Sequence, residues 1–222
     1  MPDDPTPRAE EILRVLLGLD VLADLPRTGW LLRGVRPCES VADHSYGVAL
    51  ATALLVDALR GEGVAVDGER ALRMALVHDA PEAATGDVPH PAKAAGLADA
   101  LRAAEGSIAA RLLSPPLAEA FAEASAKASL EARIVKAADT IQMMVKAYRY
   151  GQSGRGRDLE GFWASPRNVD HRGLAVVREV LEALWARAGR PLPVSGEPAA
   201  SAPDREGQAA PSGEPRPADH GS

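Results

Sequence analysis

The sequence predicts an all-α fold, and three observations carry that prediction. Hydrophobic residues make up 46% of the 222 positions but aromatic residues only 4%. Alanine and leucine supply much of the remainder, a mix that suits packed helices better than sheets, whose strands favour β-branched and aromatic side chains. Apolar residues also recur at three-and-four spacing, with no alternating run longer than a few positions.

The elements follow in chain order. Thr6-Pro7 reads as an N-cap with proline at the first helical position, opening a helix through Ile12, Leu13, Leu16, Leu17 and Leu19. The loop DLPRTGWLLRGVRPCE carries Arg27, Trp30, Arg33 and Arg36. Ser40 and Asp43 match a capping box, and the helix they start has a stripe at Val41, His44, Val48, Ala51 and Leu55. GEG at 61–63 ends it. A third helix spans roughly Gly68 to His78, with Pro81 closing it or starting a new turn. Leu97 to Leu113 is helical up to Ser114-Pro115-Pro116. One long helix, or two with a bend, then covers about Leu117 to Tyr150 with a stripe at Ile134, Ala138, Ile141 and Val145. GQSGRGRD breaks the chain, and Val169 to Ala188 reads as a closing helix capped by His171. The expected organisation is a flexible start (1–7), one helical domain (8–190) and a disordered Pro/Gly/Ala-rich tail (191–222).

Charge and composition exclude several functions. A formal net charge of −6 provides no global positive field for nucleic acid, although a metal or a local Arg/Lys cluster can still recruit a small anion. Cys38 is the single cysteine, so no intramolecular disulfide forms, which fits a reducing compartment. The start MPDDPTPRAEE lacks the basic-then-apolar order of a signal peptide. No apolar stretch is long enough to cross a bilayer, and the expected location is the cytoplasm, with no membrane partner.

Four side chains raise the question of chemistry: His44, His78, Asp79 and Asp139. Each lies among apolar neighbours on or at the end of a predicted helix, where an imidazole or carboxylate is costly without a partner. Taken singly, His44 reads as a hydrogen-bonded core residue and Asp139 as a partner of Arg133 or Lys136. Taken together, two imidazoles and two carboxylates make a mixed nitrogen and oxygen donor set. It suits one divalent ion (Mn, Co, Fe, Zn or Mg) and differs from the thiolate sets of most structural zinc sites. Glu82, four residues after His78, is a candidate general base or acid if the helix persists. Asp87 follows a glycine turn and could face the same cavity. His90 reads as a rim residue.

That order of ligands, a histidine near one helix start, His-Asp ending the next and a distant aspartate on a later helix, resembles the HD-domain metal-dependent phosphohydrolases. TGWLLRGVRPCESVADHSYGVAL, ALVHDAPEAATGDVPHPAK and EARIVKAADTIQMMVKA together resemble its 5'-deoxynucleotidase branch, over about residues 10–188. The resemblance implies an HD-domain helical bundle, one divalent ion on His44, His78, Asp79 and Asp139, and removal of phosphate from deoxynucleoside 5'-monophosphates. It implies Glu82 and Asp87 as the catalytic carboxylates and Trp30 as the residue that crowds the sugar against a 2'-hydroxyl. Arg27 and Lys93 are the expected phosphate contacts. In bacterial members an arginine immediately precedes that tryptophan. Here Gly29 stands there and Arg27 lies two residues earlier, as in a branch that reads Arg-Thr-Gly-Trp. The family is commonly dimeric, so the resemblance also admits a homodimer. Two alternatives keep the fold: hydrolysis of deoxynucleoside triphosphates or another small phosphoester, and non-catalytic nucleotide binding. A di-iron oxygenase of this type needs further histidines, and only His90 lies near the His-Asp pair.

Overall fold

The computed structural model describes residues 6–89 and 92–193, and of residues 93 and 94 the backbone alone. Residues 1–5 of the flexible start expected from the sequence, most of the expected tail and His90 lie outside the described residues, whereas Thr6 and Pro7, counted with that start, cap and open the first helix. Among those described, helices and turns account for the regular structure, and the one strand-like feature is an isolated antiparallel bridge between Pro26 and Ser40.

Local signals explain the helix starts. In α1 (Pro7–Asp20), Thr6 Oγ1 accepts from the Ala9 N–H at 3.3 Å, with Pro7 in the first turn. A one-turn helix, α2 (Thr28–Leu31), follows. The capping box opens α3 (Val41–Gly61): Ser40 Oγ accepts from Asp43 N at 3.0 Å while Asp43 Oδ2 accepts from Ser40 N at 2.9 Å. Asp67 caps α4 (Gly68–Val77), and α5 (Glu82–Thr85) is a separate turn after Pro81. Next come α6 (Ala98–Leu112), α7 (Pro115–Ala126) and α8 (Leu130–Gln152). Of the two readings of this segment, one long helix or two with a bend, the structure has the second. Lys127 takes a left-handed conformation (φ 56°, ψ 23°), and Ser129 caps the next start by accepting from Ala132 N.

A short α9 (Glu160–Trp163) precedes α10 (Ala175–Arg187). The closing helix thus begins later than Val169. Arg172 and Gly173 both have positive φ, which no helix accommodates in succession. His171 does not cap it; Leu174 is the N-cap residue, without a side-chain bond.

Helices α3 and α8 pack along each other through the centre, with α4 against both, α7 outside α4 and α8, and α10 covering the far side. The predicted stripe of α3 is inside, Ala51 only half so, and that of α8 is inside apart from Val145, which is 42% exposed, with Met144 buried instead. On α1, Ile12, Leu13, Leu16 and Leu17 point outward and Val15 is the buried residue. None of the described helices is long and apolar enough to cross a membrane.

Candidate metal centre and its cavity

His44 lies one turn into α3, 1% exposed between the buried Val41 and Val48. Its Nδ1 is 2.6 Å from Gln142 Oε1 on α8, and its Nε2 is 3.3 Å from Asp139 Oδ1. His78 follows the last residue of α4, and its Nδ1 is 2.8 Å from the Ala75 carbonyl. A carbonyl only accepts, so Nδ1 carries the proton and the neutral ring keeps its Nε2 lone pair. That Nε2 lies 3.3 Å from His44 Nε2. Because α4 ends at Val77, the backbone leaves the helix at His78, and adjacent side chains can face one point. Asp79 Oδ2 is accordingly 3.3 Å from His78 Nε2 and 3.6 Å from His44 Nε2.

Among the described residues, His44, His78 and Asp139 offer one ligand atom each, all within 4.8 Å of one another. Asp79 stands beside them, shared with Arg27. Two imidazole nitrogens whose partner nitrogens are engaged elsewhere thus converge with carboxylate oxygens. Lone pairs gathered at one point, without thiolates, fit a borderline or hard divalent ion.

Charge arrangement around the centre is strongly biased. Burial alone would push both carboxyls up. For Asp79 that is outweighed by His78, Arg27 and His44, and for Asp139 by Lys136, His44 and His78, so both sit well below the usual carboxylate range. Lys136 Nζ lies 2.6 Å from Asp139 Oδ2, and Asp139 raises its pKa against the effect of burial. The pairing of Asp139 with Lys136 expected from the sequence is therefore present together with its approach to His44. Burial opposes the charged form of His78, yet Asp79 raises its pKa.

A cavity of about 240 Å³ opens beside the cluster. His78, Asp79, Glu82 and Asp139 are among its lining residues, and Arg102, Lys127 and Lys136 contribute cationic groups. Glu82, 6% exposed, reaches this cavity by a different route from the persistent helix considered above. The helix ends, residues 78–81 form a turn, and Glu82 begins α5 with its N–H donating to the Asp79 carbonyl at 2.9 Å.

The residues on the Arg27 side form a brace. Arg27 Nη1 donates to Asp79 Oδ2 at 3.2 Å, and Arg27 Nε is 3.6 Å from Asp87 Oδ2. Asp87 Oδ2 also accepts from Thr28 N at 2.5 Å. Gly86, at φ 72°, supplies the turn before it. Burial disfavours the Arg27 charge, but Asp79 and Asp87 raise its pKa overall. Trp30 is 3% exposed and does not line the cavity. Its ring packs on Tyr150 and Phe162, with centroids 5.2 and 4.6 Å away, and its Nε1 donates to Glu39 at 2.8 Å. The side chain of Lys93 lies outside the described residues.

Four residues near the site escaped the sequence reading. Gln142 had a usable signal, since it lies three positions after Asp139 and shares its helix face. Glu39 sits just before a cap, while Arg102 and Lys127 look like ordinary surface charge, so periodicity does not distinguish them.

The family model described as HD domain matches residues 19–171. The chain belongs to the HD-domain family. It is 30% identical to the 5'-deoxynucleotidase hdd1 of Schizosaccharomyces pombe, over 80% of this chain and 96% of that one. It is 28% identical to the 5'-deoxynucleotidase HDDC2 of Danio rerio, over 85% and 93%. Among solved structures, a conserved hypothetical protein from Pyrococcus furiosus superposes with a TM-score of 0.71 at 36% identity, covering 78% of this chain and 99% of that one. The matched segment of this HD domain contains all four expected ligands.

Proposed function

We propose that this HD-domain chain is a metal-dependent 5'-deoxynucleotidase, hydrolysing the phosphomonoester of deoxynucleoside 5'-monophosphates. The observation that carries the reading is the convergence of two imidazoles and two carboxylates beside a small cavity that also contains a buried glutamate and cationic side chains. Relatives named 5'-deoxynucleotidase, matched over nearly their full length, support the substrate class.

His44, His78, Asp79 and Asp139 would hold one divalent ion, which supplies Lewis-acid polarisation of a phosphoryl oxygen. The chain's own groups perform the rest. Lys136, Lys127 and Arg102 offset the charge of the phosphoryl oxygens, the main demand in phosphoryl transfer. Glu82 orients the attacking water and takes its proton as the new oxygen–phosphorus bond forms. As the bond to the 5' oxygen breaks, the same carboxyl returns a proton to the leaving alcohol. Asp87 Oδ2, already engaged by Thr28 N–H and Arg27, is better suited to holding that loop at the sugar end. Trp30 acts on the sugar through the shape of the Arg27–Leu31 turn.

Purified protein with Mn²⁺ or Co²⁺ should release inorganic phosphate from dAMP or dTMP faster than from AMP. Glu82→Ala should lower kcat by about 10²- to 10⁴-fold, the usual contribution of a positioned acid–base group. Unchanged turnover in that variant would remove Glu82 from the chemistry. Release of triphosphate from dATP, with dAMP left intact, would overturn the monophosphate assignment.

A further inference from the structure

His44 can present its Nε2 lone pair only if the proton sits on Nδ1, and a buried ring facing an amide has no intrinsic reason to choose. An amide end that accepts can become one that donates by a half-turn of the side chain. The choice is made two residues further away. Gln142 Nε2 is 2.8 Å from Glu39 Oε2. Glu39 itself is buried, with Oε1 accepting from Trp30 Nε1 at 2.8 Å and Oε2 3.3 Å from Lys146 Nζ. Indole and ammonium groups only donate, so Glu39 is held as an acceptor at both oxygens. The Gln142 NH₂ must then face Glu39, its carbonyl must face His44, and His44 Nδ1 must donate.

Gly47 leaves room for this arrangement. A Cβ at that position would lie 2.8 Å from Gln142 Cγ and 3.1 Å from Nε2. Helix interiors ordinarily favour alanine over glycine by about 1 kcal/mol, so glycine here serves the close approach of α3 to the Gln142 side chain.

We infer that Glu39 and Gln142 are positioning residues, a one-way hydrogen-bond relay that sets the tautomer of His44 and ties that ligand to the Trp30 end of the Arg27–Leu31 turn. The inference deepens the proposed function and rests on it for the cation, but the tautomer can be measured without one.

The test uses the full chain, ¹⁵N-labelled and metal-free, with ring nitrogens read by long-range nitrogen–proton correlation at alkaline pH. Mn²⁺ affinity is measured separately by titration calorimetry. Wild type should show His44 protonated on Nδ1. In Glu39→Gln the anchor can donate as well as accept, Gln142 is free to turn over, and a population protonated on Nε2 should appear. Mn²⁺ binding should weaken about 10- to 100-fold, the range carried by outer partners of ligating histidines. The exchange Glu39→Gln with Gln142→Glu restores an acceptor facing His44 and a donor facing it from position 39, so both readouts should return. His78 should stay unchanged throughout, because the Ala75 carbonyl fixes it. If Glu39→Gln does not fold, Gly47→Ala displaces Gln142 without altering charge and should move both readouts the same way. The relay is overturned if wild-type His44 is protonated on Nε2, if the folded variant leaves its tautomer or Mn²⁺ affinity unmoved, or if the folded exchange restores neither. A wild type that binds no Mn²⁺ would defeat the metal reading, and the tautomer measurement would still judge the relay.

Discussion

The two halves of the site are built differently. The inner half, His44, Asp139 and Gln142, joins the start of α3 to the middle of α8, two helices of 21 and 23 residues that pack along each other in the core, with Glu39 just ahead of the α3 cap. The outer half, Arg27, Thr28, Glu82 and Asp87, stands on one-turn helices and connecting turns. Side chains on long packed helices inherit their positions from the core. Those on turns need cross-links, and Arg27, between Asp79 and Asp87, provides them. Rigid donors at the centre and braced turns at the edge suit a site that holds a cation tightly while admitting and releasing a small substrate.

That contrast predicts graded effects. Asp139→Asn should abolish both Mn²⁺ binding and phosphate release while the circular dichroism spectrum stays helical. Retained binding would mean that the inner half is not the cation site. Arg27→Ala removes a cross-link but no ligand, and should lower kcat/KM by about 10- to 100-fold, as loss of an outer partner does. A loss as complete as that of Asp139→Asn would erase the distinction between the halves. Ser40→Ala removes half of the α3 capping box and should cost about 1 kcal/mol in urea denaturation. Its kcat/KM should fall less than that of Arg27→Ala, because packing along α8 still holds His44. A larger fall would show that the cap, rather than the core, places that ring.

Much of this was legible beforehand, for local reasons. Caps at Thr6 and Ser40 and the breaks near Gly61 and Ser114 act within a few residues, so their effects could be read directly. The joint order of His44, His78, Asp79 and Asp139 marked the candidate ligands, although each taken singly has an ordinary core or ion-pair reading. Val145 and the α1 leucines were not legible in the same way. Three-and-four spacing shows that a helix has an apolar side, but not whether another element will cover it. Glu82 reached the cavity although the helix that would have carried it there stops at Val77.

By itself, the sequence determined an all-helical chain, most of its helix boundaries, and the list of donors available for a cation. Tertiary structure alone decided which donors meet, that Tyr150, Phe162 and Glu39 surround Trp30, and that Gln142 bridges Glu39 to His44. The physical reason is range: capping and periodicity act over three or four positions, whereas His44 and Gln142 stand 98 positions apart and meet only because two helices pack against one core.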